Sequence, residues 1–155
     1  MGQRDLSATI GVLANIGVLA GVFLLVYELN QSRSAMEAQT RSDLSEQVMN
    51  MIVDTYLEHP ELMQKAERGD PLTDDEMWMF LQISLVEFRY HENAFYQYEQ
   101  GLYEEAEYLA QRETWKNLVY SGRHKVTAWC SVRSGFSPRF VAEIESAVLT
   151  SSSCG

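Results

Sequence analysis

The sequence has little that would stop a helix. Only three prolines occur in 155 residues, none before Pro60, and no glycine lies between Gly21 and Gly69. Proline lacks the amide donor and glycine loses the most backbone entropy, so helices end at these residues. Their absence predicts one helix from about Leu6 to Leu57, roughly 75 to 80 Å long at ~1.5 Å per residue. Alternating apolar and polar runs of strand length are also missing, which excludes a sheet protein. Basic residues are scarce: 12 Lys plus Arg stand against 22 Asp plus Glu, a formal charge of −10. Arg4 and Asp5 cancel, so the whole excess lies beyond the first apolar segment. Such a surface repels phosphate backbones and anionic headgroups, excluding nucleic acid and flat electrostatic docking onto lipid. Two cysteines are too few for a disulfide framework and too far apart for a metal knuckle. Cys130 reads as a small core residue, and Cys154 as part of a disordered serine-rich tail over 150–155. A Gly-x-Ser-x-Gly turn, a phosphate-binding glycine loop and a dinucleotide fingerprint are all absent, so no catalytic residue and no cofactor is read from the sequence.

What is present begins with Ala8 to Tyr27, an apolar run without charge or proline. About 20 helical residues at ~1.5 Å each cover the ~30 Å hydrocarbon thickness of a bilayer. The run is longer than the apolar core of a signal peptide, and no small-x-small cleavage site closes it, so it reads as an uncleaved single-pass anchor. Gly11, Ala14, Gly17 and Gly21 recur at three and four and share one helix face, with Asn15 at its edge. Small residues let a second membrane helix approach closely, and an Asn to Asn contact contributes about 1 kcal/mol. These five residues are the expected oligomer interface. Arg33 and Arg41 after the span outnumber Arg4 before it, a slight preference for a cytoplasmic carboxyl-terminal domain.

Beyond the membrane, apolar residues thin between Asn30 and Asp43 and return from Leu44, which describes a stalk that then docks on a domain or a neighbouring copy. His59-Pro60 breaks the helix, and Pro60 opens a short one through Glu67. Thr73-Asp-Asp-Glu76 has the spacing of a capping box and opens a helix from Asp74 to about Gln100. Its first half, Met77 to Val86, is apolar on nearly every side and predicts the central helix of a bundle. Further helices are expected from Gly101 through about Tyr120, with Tyr108, Leu109, Trp115, Leu118 and Val119 as the packing side, around Lys125 to Val132, and from Pro138 to about Leu149.

The run of Gln31-Ser-Arg-Ser-Ala-Met-Glu-Ala-Gln-Thr-Arg-Ser42, His59-Pro-Glu-Leu62, Leu72-Thr-Asp-Asp-Glu76, Tyr98-Glu-Gln-Gly-Leu102, Trp115, Gly122-Arg123, Trp129 and Phe136-Ser-Pro-Arg-Phe140 resembles a group of small bacterial, often marine proteobacterial, single-pass membrane proteins with a carboxyl-terminal helical domain. The resemblance implies that architecture and a bacterial inner membrane, and it brings no catalytic residues. Where relatives often carry proline before the glycine and paired tryptophans, this chain has Ser121 and Ala128-Trp129.

The candidates for chemistry lie on the central helix. Glu87 and His91 are four apart, hence on one face, and could offer two ligands to a metal. The di-iron bundle pattern, Glu-x-x-His on two helices, is absent. Against the metal stands a plainer reading, in which the carboxylates pair with Arg89, Arg112 or Arg123 and a histidine bonds a carbonyl. Phe95, Tyr96, Tyr98, Tyr103 and Tyr108 could line a pocket for an apolar ligand or lipid, or simply pack as core.

The expected protein is therefore all-α: an N-terminal segment (1–7), a transmembrane helix (8–28) continuing into a helical stalk (29–58), a small helical bundle (59–149) and a tail (150–155). Its expected role is structural or interaction-based, through membrane lipid and through itself. A trimer suits close-packed anchors, and pairing between trimers would give a larger closed, cage-like assembly. The alternatives are a metal-binding helical-bundle enzyme or sensor centred on Glu87 and His91, and an adaptor that recruits a basic partner through the acidic domain.

Overall fold

A computed structural model describes residues 3–116, 122–147 and Cys154. The described residues are all-α, with six α-helices and no strand. Helix α1 runs Gln3–Met51, α2 Pro60–Glu67, α3 Asp74–Glu99, α4 Glu105–Thr114, α5 Arg123–Val132 and α6 Pro138–Ala147. The chain divides into two units, residues 1–39 and 40–155.

The first unit is helical from Gln3, and large apolar side chains from Leu13 onward are uncovered, Phe23 being 74% exposed and Leu13, Leu19, Leu24 and Leu29 similarly open. It belongs to the one helix among the described residues long and apolar enough to cross a membrane, with a mean hydropathy of 1.7 over its best stretch. Arg33 Nε meets Glu37 Oε1 at 3.0 Å, an exposed pair one turn apart.

The second unit begins with the last turns of α1. Leu44 is buried there, and Val48 and Met51 pack partly against the core, where the returning apolar stripe predicted docking. Cross-links reinforce the contact: Arg41 pairs with Glu107 at 2.7 Å, and Asn93 Nδ2 donates to Gln47 Oε1 at 3.2 Å. The regular helix expected through Leu57 gives way after Met51 to a wider π-helical turn over Ile52–Leu57. Buried Thr55 donates its hydroxyl to the Met51 carbonyl, and a side chain that bonds the preceding turn loosens the regular ladder.

Helix α2 starts with Pro60 in first position, where no amide is needed. It ends in a Schellman turn: Gly69 has φ +71°, its amide meets the Ala66 carbonyl, and the Asp70 amide reaches the Lys65 carbonyl at 3.0 Å. Helix α3 opens with the capping box read from the sequence. Glu76 N donates to Thr73 Oγ1 at 3.3 Å, and Thr73 N donates to Glu76 Oε2 at 2.7 Å. Lys65 from α2 closes on the same carboxylate at 2.6 Å, tying the two helices.

The same turn that ends α2 also ends α3, with Gly101 at φ +68° and the Leu102 amide on the Gln97 carbonyl. This reversal uses Gly101 to Glu104, so α4 begins at Glu105 rather than at Gly101–Tyr103. Tyr108 and Trp115 are buried as expected, whereas Leu109 is 43% exposed; Leu118 and Val119 lie outside the described residues.

Helix α3 packs against α2, α4 and α5. Its burial is densest in the second half, at Glu87, Phe88, Tyr90, His91, Ala94 and Phe95. The first half is less enclosed than its composition predicts: Trp78 is 65% exposed, and Val86 and Met79 are also open. An apolar stretch buries only the sides that neighbouring helices reach. The densest core is aromatic, with Trp129 edge-on to Phe88 at 5.0 Å and Phe140 and Phe136 closing around it. Such pairs gain about 0.5 to 1.5 kcal/mol each beyond their buried area.

Cys130 is bonded to Cys154, with Cα atoms 5.4 Å apart. This corrects the expectation of a lone core thiol at Cys130; of the tail expected to be disordered, only Cys154 lies among the described residues. Two cysteines form no framework, yet a helix end and a terminal segment can still be brought together by the fold.

Candidate functional site

The polar residues of interest converge inside the second unit. Helix periodicity puts Ser84, Glu87 and His91 on the buried side of α3, and α5 brings Lys125 to meet them. Lys125 Nζ is paired with Glu87 Oε2 and lies 3.1 Å from Ser84 Oγ. Both charged side chains are almost wholly removed from solvent, Glu87 at 1% and Lys125 at 4% exposure. Lys125 also stands over the Phe80 ring at 4.7 Å, so the aromatic face supplies some of the stabilisation that water would have given. Burial lowers the lysine below its ordinary value, opposed by the neighbouring carboxylate. The second carboxylate oxygen, Glu87 Oε1, is closed off from solvent, and among the described residues no donor other than the Tyr56 phenol stands beside it. Tyr56, on the π-helical turn, lies beside the carboxylate; burial first, then the Glu87 charge and hydrogen bonding to Glu87, push its phenol up.

His91 is stacked on Trp115 of the α4 end, ring centroids 3.8 Å apart and planes at 20°. Burial, reinforced by the Lys125 charge, holds the imidazole well below its usual range, so it is neutral at pH 7. Tyr90 and Gln111 are hydrogen-bonded beside it. These side chains border a cavity of about 690 Å³ within the second unit, whose other walls include Met51, Met63, Ala66 and Phe80. Its size is that of a small-molecule site.

The structure thus brings Glu87 and His91 together on one face, as their spacing predicts. A metal ion there would compete with the Lys125 ammonium for the same carboxylate, and among the described residues no group of three His, Cys, Asp or Glu side chains is placed to hold one. The plainer reading is met in part: Glu92 pairs with Arg89 at 2.6 Å, but Glu99 pairs with Arg139 at 2.7 Å, which is not among the expected arginines, and Arg112 pairs with Glu143 at 2.6 Å. His124 meets the Asp70 carbonyl at 2.8 Å.

The aromatic group proposed as a pocket lining is mostly core. Tyr98 stacks on buried Tyr108 at 4.3 Å, and Phe95 and Tyr96 border only a smaller hollow of about 350 Å³. Lys125 is the residue that sequence reading missed, because a single lysine in a short amphipathic helix carries no mark of burial. In the first unit, Gly11, Ala14, Asn15 and Gly17 are exposed and Gly21 is half-exposed. A methyl group added at Gly11, Gly17 or Gly21 would meet nothing within 4 Å.

No family model, no curated protein and no solved structure matches the chain.

Proposed function

We propose that the protein is a membrane-anchored, self-associating structural or interaction protein of a bacterial inner membrane. The observation that carries this reading is the uncovered apolar helix of the first unit, on which, among the described residues, nothing lies within 4 Å of a methyl group built at Gly11, Gly17 or Gly21. A bilayer covers the large apolar side chains, and a second copy of the helix fits against Gly11, Ala14, Gly17 and Gly21 because small residues permit close backbone approach. A trimer suits this packing, and pairing between the helical domains would extend it to a closed assembly. Replacing both Gly17 and Gly21 by leucine tests the reading: the oligomer weakens in detergent if the face is the contact, and an unchanged oligomer removes the span from the interface.

The disulfide favours a second element of the reading, the side of the membrane on which the helical domain sits. Disulfides persist in oxidising compartments and are rare in the cytosol. The Cys130–Cys154 bond therefore supports an extracytoplasmic domain, against the slight excess of Arg33 and Arg41 over Arg4. One bond that must be oxidised is the stronger argument than a difference of one positive charge. Thiol labelling with a membrane-impermeant reagent in intact spheroplasts, before and after reduction, checks it: labelling that appears only after reduction places the domain outside, and labelling only after lysis places it inside.

A further inference from the structure

The cavity of about 690 Å³ in the second unit has a property that self-association does not explain: polar groups in its wall are engaged with one another. Lys125 is held by Glu87 and Ser84, and the Tyr56 phenol hydrogen-bonds the same carboxylate, whose remaining oxygen is closed off from solvent. Gln111, also in the wall, donates to the Tyr90 hydroxyl and accepts from Tyr103 at 3.0 Å. The His91 ring lies flat on Trp115. A polar head group entering here would lose its water and find these partners taken. What the walls present instead is apolar surface, from Met51, Met63, Ala66, Phe80 and Trp115. The last four of these are buried, whereas Ile52 and Thr114, which also line the cavity, are exposed, so the space has an apolar floor and a way in.

We infer that this cavity binds an uncharged hydrocarbon chain, the tail of a membrane lipid or a free apolar molecule of the same kind, laid against Met51, Met63, Phe80 and Trp115 with no head group inside. An empty apolar cavity leaves its lining atoms without dispersion partners, and such cavities stay dry and accept apolar guests. The two methionines adapt to a chain of variable shape, and the volume is that of a small-molecule pocket. A charged end is disfavoured at either sign. Glu67 stands in the wall against an anion, and the interior carboxylate of Glu87 is already paired and gives a cation no counter-charge. The inference is independent of self-association: either can hold without the other.

The probe is a long-chain alkane bearing a mid-chain diazirine, irradiated with the full-length protein in lipid nanodiscs. Two companions carry the same diazirine: the diol with a hydroxyl at each end of the chain, which cannot enter without burying one, and a phosphatidylcholine with the chain as one tail. Labelled positions are mapped by peptide mass spectrometry and referred to the probe retained in the disc. The alkane is expected to label peptides containing Met51, Met63 or Trp115 at least five-fold more than the diol. Labelling of the same peptides by the phosphatidylcholine as well assigns the chain to a lipid tail, and labelling by the alkane without it assigns a free apolar molecule. Thr114→Trp, at an exposed wall position, should reduce the alkane labelling at least five-fold. Ala66→Phe, which fills the interior, should do the same, and thermal melts report whether each variant is folded. Labelling confined to Ala8–Tyr27, equal labelling by the diol, labelling by the phosphatidylcholine alone, or labelling undiminished by Thr114→Trp in a folded protein overturns the inference.

Discussion

Lys125 and Glu87 form an ion pair that is buried on both sides, joining α5 to α3 at the middle of the helical domain. Removing one partner leaves the other charge buried and alone, which costs about 3 to 5 kcal/mol, whereas replacing both by apolar residues of similar volume is near neutral or stabilising. Lys125→Met should therefore lower stability by about 3 kcal/mol or more. Glu87→Leu combined with Lys125→Met should recover most of the loss, as read by denaturant titration of the purified protein.

His91 gives the domain a defined response to acid. Its folded-state pKa lies well below 6.5, so the folded protein binds fewer protons than the unfolded chain once the pH falls below that value. Its contribution is fully present above about pH 6.5 and is lost as the pH falls through the window below it, at up to about 1.4 kcal/mol per pH unit for one proton. His91→Phe keeps a flat ring against Trp115 and should flatten the stability profile between pH 6.5 and 5. Glu76, held down to about 2 by Lys65 and then by the Thr73 amide, is fully ionised in that window and loses its contribution only as the pH falls below its unfolded value of 4.5.

The capping box should contribute measurably. Thr73→Ala removes the acceptor for the Glu76 amide and is expected to cost about 1 kcal/mol. Thr73→Ser, which keeps the hydroxyl, should cost only a few tenths. Thermal unfolding of the two variants beside the parent checks the difference.

The disulfide spans 24 residues of chain and restricts the unfolded ensemble. Loop-closure entropy places its stabilisation at about 3.5 kcal/mol. Cys130→Ser should lower the unfolding free energy by about that amount, and a reductant should lower the parent to the same level without further affecting the variant.

Much of this architecture was legible because its signals are local. Thr73-Asp-Asp-Glu76, Pro60 and Gly101 each act within one helical turn, so the sequence alone locates the start of α3 and of α2 and the end of α3. The apolar run is legible for the same reason, being a property of twenty consecutive residues. The π-helical turn is harder to see, since it depends on a single hydroxyl of Thr55 competing for the Met51 carbonyl once the helix is packed. Glu87 and His91 could be placed on one face by spacing, but their partners could not. Lys125 and Trp115 reach them from α5 and the end of α4, and no short-range pattern ties those segments to α3. The Cys130–Cys154 bond was missed for a related reason: a count of two cysteines excludes a framework but says nothing of whether the fold brings the two together.

The central claim is that copies of this chain associate through the membrane helix, and the particle mass tests it most directly. Full-length protein extracted in a mild detergent, with detergent mass subtracted by combined light scattering and refractometry, should give a discrete assembly of three copies or a multiple of three, and Gly17→Leu with Gly21→Leu should shift it to smaller species. A monodisperse single chain of 17.7 kDa, unchanged by those substitutions, would contradict the account.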